Sequence, residues 1–167
     1  MSREDNIESV LKKWGKYVVQ QARTNLTKGK RNSSKALYNS LSYEYKIAED
    51  KFSLIFNMEA YGQFQDLGVK GQKTTYPESS ESPYQYKDKM PPASAFANWV
   101  IRKGLKGTRN AKGQFVKRKG LQFAIAKSIQ QEGIRATKFF SKPFGLAFNQ
   151  LPPDVAKAFT IDPQDFE

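Results

Sequence analysis

Between Asn6 and Leu26 the apolar residues Ile7, Val10, Leu11, Trp14, Val18, Ala22 and Leu26 recur at spacings of three and four, which places them on one face of a helix. Asp5 followed by Glu8 has the form of a capping box at its start, and "TKGKRNSS" from Thr27 supplies the glycine and polar residues that end it. Gly15 costs this helix about 1 kcal/mol relative to alanine, so its presence predicts close packing there. The period then changes to two. Leu41, Tyr43, Tyr45 and Ile47 alternate with polar neighbours, a turn falls at Glu49 to Lys51, and Phe52, Leu54 and Phe56 alternate again. This predicts an antiparallel hairpin with strands Leu41 to Ala48 and Lys51 to Asn57 and one face buried.

From Gly68 to Pro92 no apolar period is visible, and Pro, Ser, Gly and charge dominate, so the stretch reads as a long loop. A second helix is expected from Pro92 or Ala93 to Arg102, with Phe96, Trp99 and Val100 on one face. A third, Leu121 to Glu132, turns Phe123, Ile125, Ala126 and Ile129 inward and stops at Gly133. "DVAKAFTI", after Pro152 and Pro153, suggests a short C-terminal helix. These elements define an α+β fold: a long N-terminal helix packed on a small antiparallel sheet, with further helices and long loops. At 167 residues, without an internal repeat, the chain reads as a single domain, 1–167, with a loop at 68–92 and a basic arm at 104–120.

Composition narrows the chemistry. Cysteine and histidine are both absent, which removes disulfides, thiolate nucleophiles, Ser-His-Asp triads and the usual zinc and haem ligands. No cofactor is implied. No apolar run approaches the roughly 20 residues of a membrane span. The start, "MSREDNIESV", is acidic and polar where a signal peptide would be basic and then apolar, so a soluble protein that works where it is made is expected. Lys and Arg number 28 against 16 Asp and Glu, a net charge of +12, which favours anionic partners: nucleic acid, acidic protein surfaces or anionic membrane.

Several local patterns invite a site. "GVKG" from Gly68 and "GLKG" from Gly104 are glycine-rich, but neither continues into a phosphate-loop or dinucleotide pattern, and an ordinary turn is the better account. Glu49, Asp50, Glu59 and Asp66 are the nearest approach to a paired-carboxylate site for a nuclease or lysin-like enzyme, yet Glu49 and Asp50 fall in the hairpin turn, where solvated surface explains them. Tyr43, Tyr45, Phe52 and Phe56 could stack bases on a sheet, although a period-two run of aromatics more often marks a core face. The sharpest feature is basic. From Arg102 to Lys142 twelve cations, among them Arg102, Lys103, Lys106, Arg109, Lys112, Lys117, Arg118 and Lys119, face one acid, Glu132. Such a run either neutralises phosphates without reading sequence or is simply solvated. Its lone apolar pair, Phe115 and Val116, could dock on a neighbour.

Four stretches occur in a telling order: the amphipathic N-terminal helix, "KGKRNSSKALYNSLSYEY", "MEAYGQFQDLGVKG" after the hairpin, and "GLQFAIAKSIQQEGIRATKFFSKPF". Together they resemble the tail-completion, or head-to-tail joining, proteins of tailed bacteriophages. The second resembles that family's Gly-x-Leu-x-x-Ser-like entry, the third its Tyr-Ala-x-Phe-x-Glu-x-Gly stretch, and the last its helix followed by an aromatic-proline segment. The chain departs at Ser34 to Leu37, which lacks the glycine before the leucine, and at Gly62 and Asp66, which replace the commoner alanine and glutamate.

The resemblance implies a virion protein of the neck, made in the host cytoplasm and without catalysis, acting in a homo-oligomeric ring between portal or adaptor and tail-tube proteins. It implies that Tyr61, Phe64 and Asp66 lie at or near an assembly interface. The loop from Gly68 and the basic segment become assembly arms, with Phe115 and Val116 gripping a neighbour. Arg102, Lys103, Lys106, Arg109, Lys112, Lys117, Arg118 and Lys119 would then contact genomic DNA in the channel or an acidic partner surface. A rival from another class is a free basic nucleic-acid-binding module.

Overall fold

The computed structural model describes residues 3–31, 34–48 and 51–159. The fold is α+β, and the chain falls into two compact units, Met1–Gly62 with Lys138–Glu167, and Gln63–Thr137.

In the first unit α1 (Arg3–Lys28) packs on a hairpin of β1 (Ser42–Ala48) and β2 (Lys51–Asn57), with Tyr43 opposite Phe56 and Tyr45 opposite Leu54. The expected turn residues Glu49 and Asp50 lie outside the described residues. Because α1 begins at Arg3, Asp5 and Glu8 sit inside the helix and form no capping box. Glu8 instead pairs with Lys12 one turn on and accepts a 2.6 Å hydrogen bond from the Tyr45 hydroxyl, fastening helix to sheet. The Gly15 expectation holds: a β-carbon there would collide with the Tyr43 ring.

At its other end α1 closes within the expected stop, with Arg31 N–H on the Leu26 carbonyl and Lys30 N–H on that of Thr27, and the left-handed residue there is Lys30 (φ 53°). Asn32 and Ser33 of the expected stop lie outside the described residues. A short helix α2 (Ala36–Ser40), which no periodicity announces, buries Leu37. Arg23 anchors it by donating to the carbonyls of Tyr38 and Leu41 at 3.1 and 2.9 Å.

The C-terminal helix corrects the sequence expectation most. It is not a short segment after the prolines but α6, the 19 residues Ser141–Phe159, with Pro152 and Pro153 inside it. Each proline forfeits a helical N–H bond. The stripe Phe144, Ala147, Leu151 and Val155 nonetheless keeps helical spacing across them, and Ala147 and Val155 are buried. Val19, Ala22, Leu26, Leu37, Leu41 and Phe139 form one core cluster, and Trp14, Val18 and Ala147 another.

The second unit begins within α3 (Gly62–Leu67), which leads into β3 (Val69–Lys70). β3 pairs antiparallel with β6 (Gly133–Ile134), and Lys70 exchanges 2.9 Å bonds with Tyr84 and Tyr86 on its other side. The expected loop 68–92 is irregular but stitched down. Ser79, fully buried, donates to the Ile134 carbonyl at 2.7 Å and accepts from Ala136 N–H at 2.8 Å, and Ser82 donates to the Gly68 carbonyl at 2.7 Å. Gln130 donates to the carbonyls of Lys87 and Asp88. "GVKG" is not the ordinary turn expected: Val69 and Lys70 form β3, and the left-handed Gly68 (φ 75°), where a side chain would meet Ser79 Oγ, leads into that strand.

The second expected helix opens as a 3-10 turn, Ala93–Phe96, before α4 (Ala97–Arg102). Six residues of α4 cover only Val100, so Trp99 stands substantially exposed and not inward. α5 (Arg118–Glu132) starts three residues before Leu121, buries Ala126 and Gln130, and leaves Phe123 exposed, against the inward placement expected. It stops at Gly133 (φ 85°), as expected.

Candidate interaction surface

The basic segment is not a featureless flexible arm. α4 ends in a left-handed Gly104 (φ 65°), with Leu105 N–H on the Val100 carbonyl and Gly104 N–H on that of Ile101. Thr108–Arg109 (β4) and Phe115–Val116 (β5) then pair antiparallel. Asn110 builds the turn between them: its Oδ1 accepts from the backbone N–H groups of Lys112 and Gln114, both at 3.0 Å, and Gly113 adopts φ 75°. Arg109 donates to the Gly113 carbonyl at 2.8 Å across the same turn. The asparagine and the glycine three residues on were a readable turn signal that the density of charge obscured.

This hairpin displays what the sequence singled out. Arg102, Lys103, Lys106, Arg109, Lys112, Lys117, Arg118 and Lys119 are all exposed. No acid occurs between Arg102 and Lys119, and the ion pairs Glu8–Lys12 and Glu78–Arg135 involve none of the eight. Phe115 is 65% exposed, its ring edge close over Gly107, while Val116 is half-buried. Lys117 is the N-cap residue of α5, without a side-chain cap hydrogen bond, and no acid occupies the first turn. Arg118 and Lys119 therefore sit where the helix dipole is already positive, an arrangement that costs about 0.3–1 kcal/mol per charge without an anion.

The other candidates are scattered. Tyr61 is exposed in the first unit, beside the Glu59-to-Gly62 turn. Phe64, in the second, is partly exposed and packs edge-on to Tyr84 at 4.7 Å. Asp66 is only 4% exposed and is a buried group of the second unit, so it does not present a surface carboxylate. Glu49 and Asp50 lie outside the described residues, and among the described residues no three of His, Cys, Asp and Glu are grouped to hold a metal. Of the sheet aromatics, Tyr43 and Phe56 pack on the core of the first unit, with the Phe56 ring 5.4 Å from Phe140 and 5.8 Å from Phe144, while Tyr45 and Phe52 are half-buried. Burial pushes the Tyr86 hydroxyl above its usual pKa. Among the described residues no helix is long and apolar enough to cross a membrane.

No protein-family model, no curated protein and no solved structure matches this chain.

Proposed function

We propose that this chain is a structural protein of the neck of a tailed bacteriophage, a tail-completion or head-to-tail connector that assembles as a closed ring. The observation that carries it is the meeting of two stretches on which the resemblance rests. "MEAYGQFQDLGVKG" and "GLQFAIAKSIQQEGIRATKFFSKPF" lie far apart in sequence, yet Val69 pairs with Ile134 and Lys70 with Gly133. Around that pairing the glycines carry structural demands: Gly68 and Gly133 have positive φ, and a side chain at Gly71 would strike backbone.

The exposed cations favour an anionic partner for the same protein. In the neck that partner is DNA in the channel or an acidic face of an adjoining ring. Imaging of intact particles is expected to place this chain in a ring at the head–tail junction; its absence from purified particles, or its presence there as a monomer, overturns the proposal. Tight, salt-sensitive DNA binding by the isolated monomer, together with absence from particles, would select the free nucleic-acid-binding module.

A further inference from the structure

We propose that the β4–β5 hairpin is a binding surface for single-stranded nucleic acid, with Phe115 as the platform on which an unpaired base stacks. The two sides of β5 are used differently. Val116 turns toward α5, where one of its methyl groups lies so near Gly120 that a β-carbon there would crowd it. Phe115, next along the strand, therefore turns away from α5, and its cross-strand partner on that outward face is Arg109. Gly107, two residues before Arg109, makes room for the ring: a β-carbon there would collide with the ring's far edge. The ring is thus seated by its edge on bare backbone while the residue stays 65% exposed. Its position is built, and its partner lies outside the described residues of the hairpin.

The charge around the ring names the chemistry of that partner. Arg109 shares the face of Phe115, Lys112 lies in the turn and Lys117 follows two residues on, all exposed, and no acid occurs from Arg102 to Lys119. Five of the eight cations in that stretch are lysines. Lysine is depleted at protein–protein interfaces, whereas its point charge on a flexible stem suits phosphates whose positions vary. A basic surface with a stacking aromatic in its midst is the combination that holds single strands without reading their sequence. In a duplex the bases stack on one another, so a ring seated on a hairpin finds an open base face only in a single strand. This inference deepens the anionic-partner reading of the cations and rests on it, but it does not depend on a place in the neck.

Fluorescence anisotropy of the purified full chain tests it with three labelled probes: oligothymidine of about 16 nucleotides, a duplex of the same length and an oligoglutamate peptide. Saturable binding of oligothymidine, tighter than of either other probe, is expected. Phe115→Ala should weaken that binding about tenfold and Phe115→Trp should preserve it, while neither changes duplex binding. Gly107→Ala, which displaces the ring without altering a charge, should act like Phe115→Ala. Lys112→Gln with Lys117→Gln should lower the slope of log affinity against log salt by about 1.4, the share of two phosphate contacts on a single strand. Oligothymidine binding that is absent, no tighter than duplex binding, or undiminished in Phe115→Ala overturns the proposal. Oligoglutamate as the tightest ligand also overturns it and assigns the surface to an acidic protein. Each of these results is obtained on isolated protein and leaves the imaging test of the neck reading untouched.

Discussion

Gly15 reverses the usual ranking of helix formers. In an exposed helix Gly→Ala gains about 1 kcal/mol, but here the added methyl enters the space of the Tyr43 ring, and overpacking costs typically about 1–3 kcal/mol. Gly15→Ala is therefore expected to lower the urea midpoint, and pairing it with Tyr43→Leu to recover part of the loss; a raised midpoint in the single variant would show that the ring moves aside freely. Glu8 is a second contact between the same elements. Its pKa is held below the ordinary 4.5, first by its hydrogen bond with Lys12 and then by that with Tyr45, and Lys12 is raised above 10.5 in return. A depressed folded-state value means that the carboxylate's contribution is present above the unfolded value and disappears as pH falls through the folded one. Thermal melts of wild type and Glu8→Gln should thus differ at neutral pH and converge as pH falls through the depressed pKa of Glu8. A difference that persists in acid would assign the effect to packing.

At the scale of elements, legibility followed length. α1 and the β1–β2 hairpin carry long apolar periods, and the structure places them within a few residues of where Ile7 to Leu26 and Tyr43 to Phe56 predict. α2, β3 and β6 hold five residues or fewer, too few to show a period, and β3 and β6 exist because distant chain pairs, Val69 with Ile134 and Lys70 with Gly133. α6 was legible in its apolar stripe but hidden by Pro152 and Pro153, which suggest a helix start. The cations of the candidate surface were plain in the sequence; that they flank a built hairpin and crowd the N-terminus of α5 was not. That crowding is testable. Arg118→Glu with Lys119→Glu replaces dipole repulsion with attraction and is expected to raise stability by about 0.5–2 kcal/mol in denaturant titrations. Yet the same pair should impair particle assembly or DNA retention if the cations serve an anionic partner. Destabilisation by the pair would show that these side chains support the fold.

The two units of the whole molecule are stabilised by different means. Among the described residues the largest fully buried side chains of the first unit are Leu11, Val18, Leu26, Leu41 and Phe139, whereas the second has Val100 and Ser79. Among the described residues the buried polar or charged ones, Asp66, Ser79, Ser82 and Gln130, belong to the second unit. This asymmetry could not be read from the sequence, because Ser79 and Ser82 look like loop serines until the fold places backbone carbonyls against them. Burying a large aliphatic or aromatic side chain contributes about 1.5–3 kcal/mol, whereas an internal hydrogen bond nets only about 0.5–1.5 kcal/mol. Residues 63–137 should therefore open more readily than the first unit. Native-state hydrogen exchange is expected to give amides of β3, α5 and β6 lower opening free energies than those of α1 and β1–β2. Ser79→Ala, which strips a hydrogen bond from both the Ile134 carbonyl and the Ala136 N–H, should widen that gap. Equal opening free energies in the two sets would show that they unfold as one and would refute the ranking. A unit held mainly by hydrogen bonds can reorder its surface hairpin at small cost.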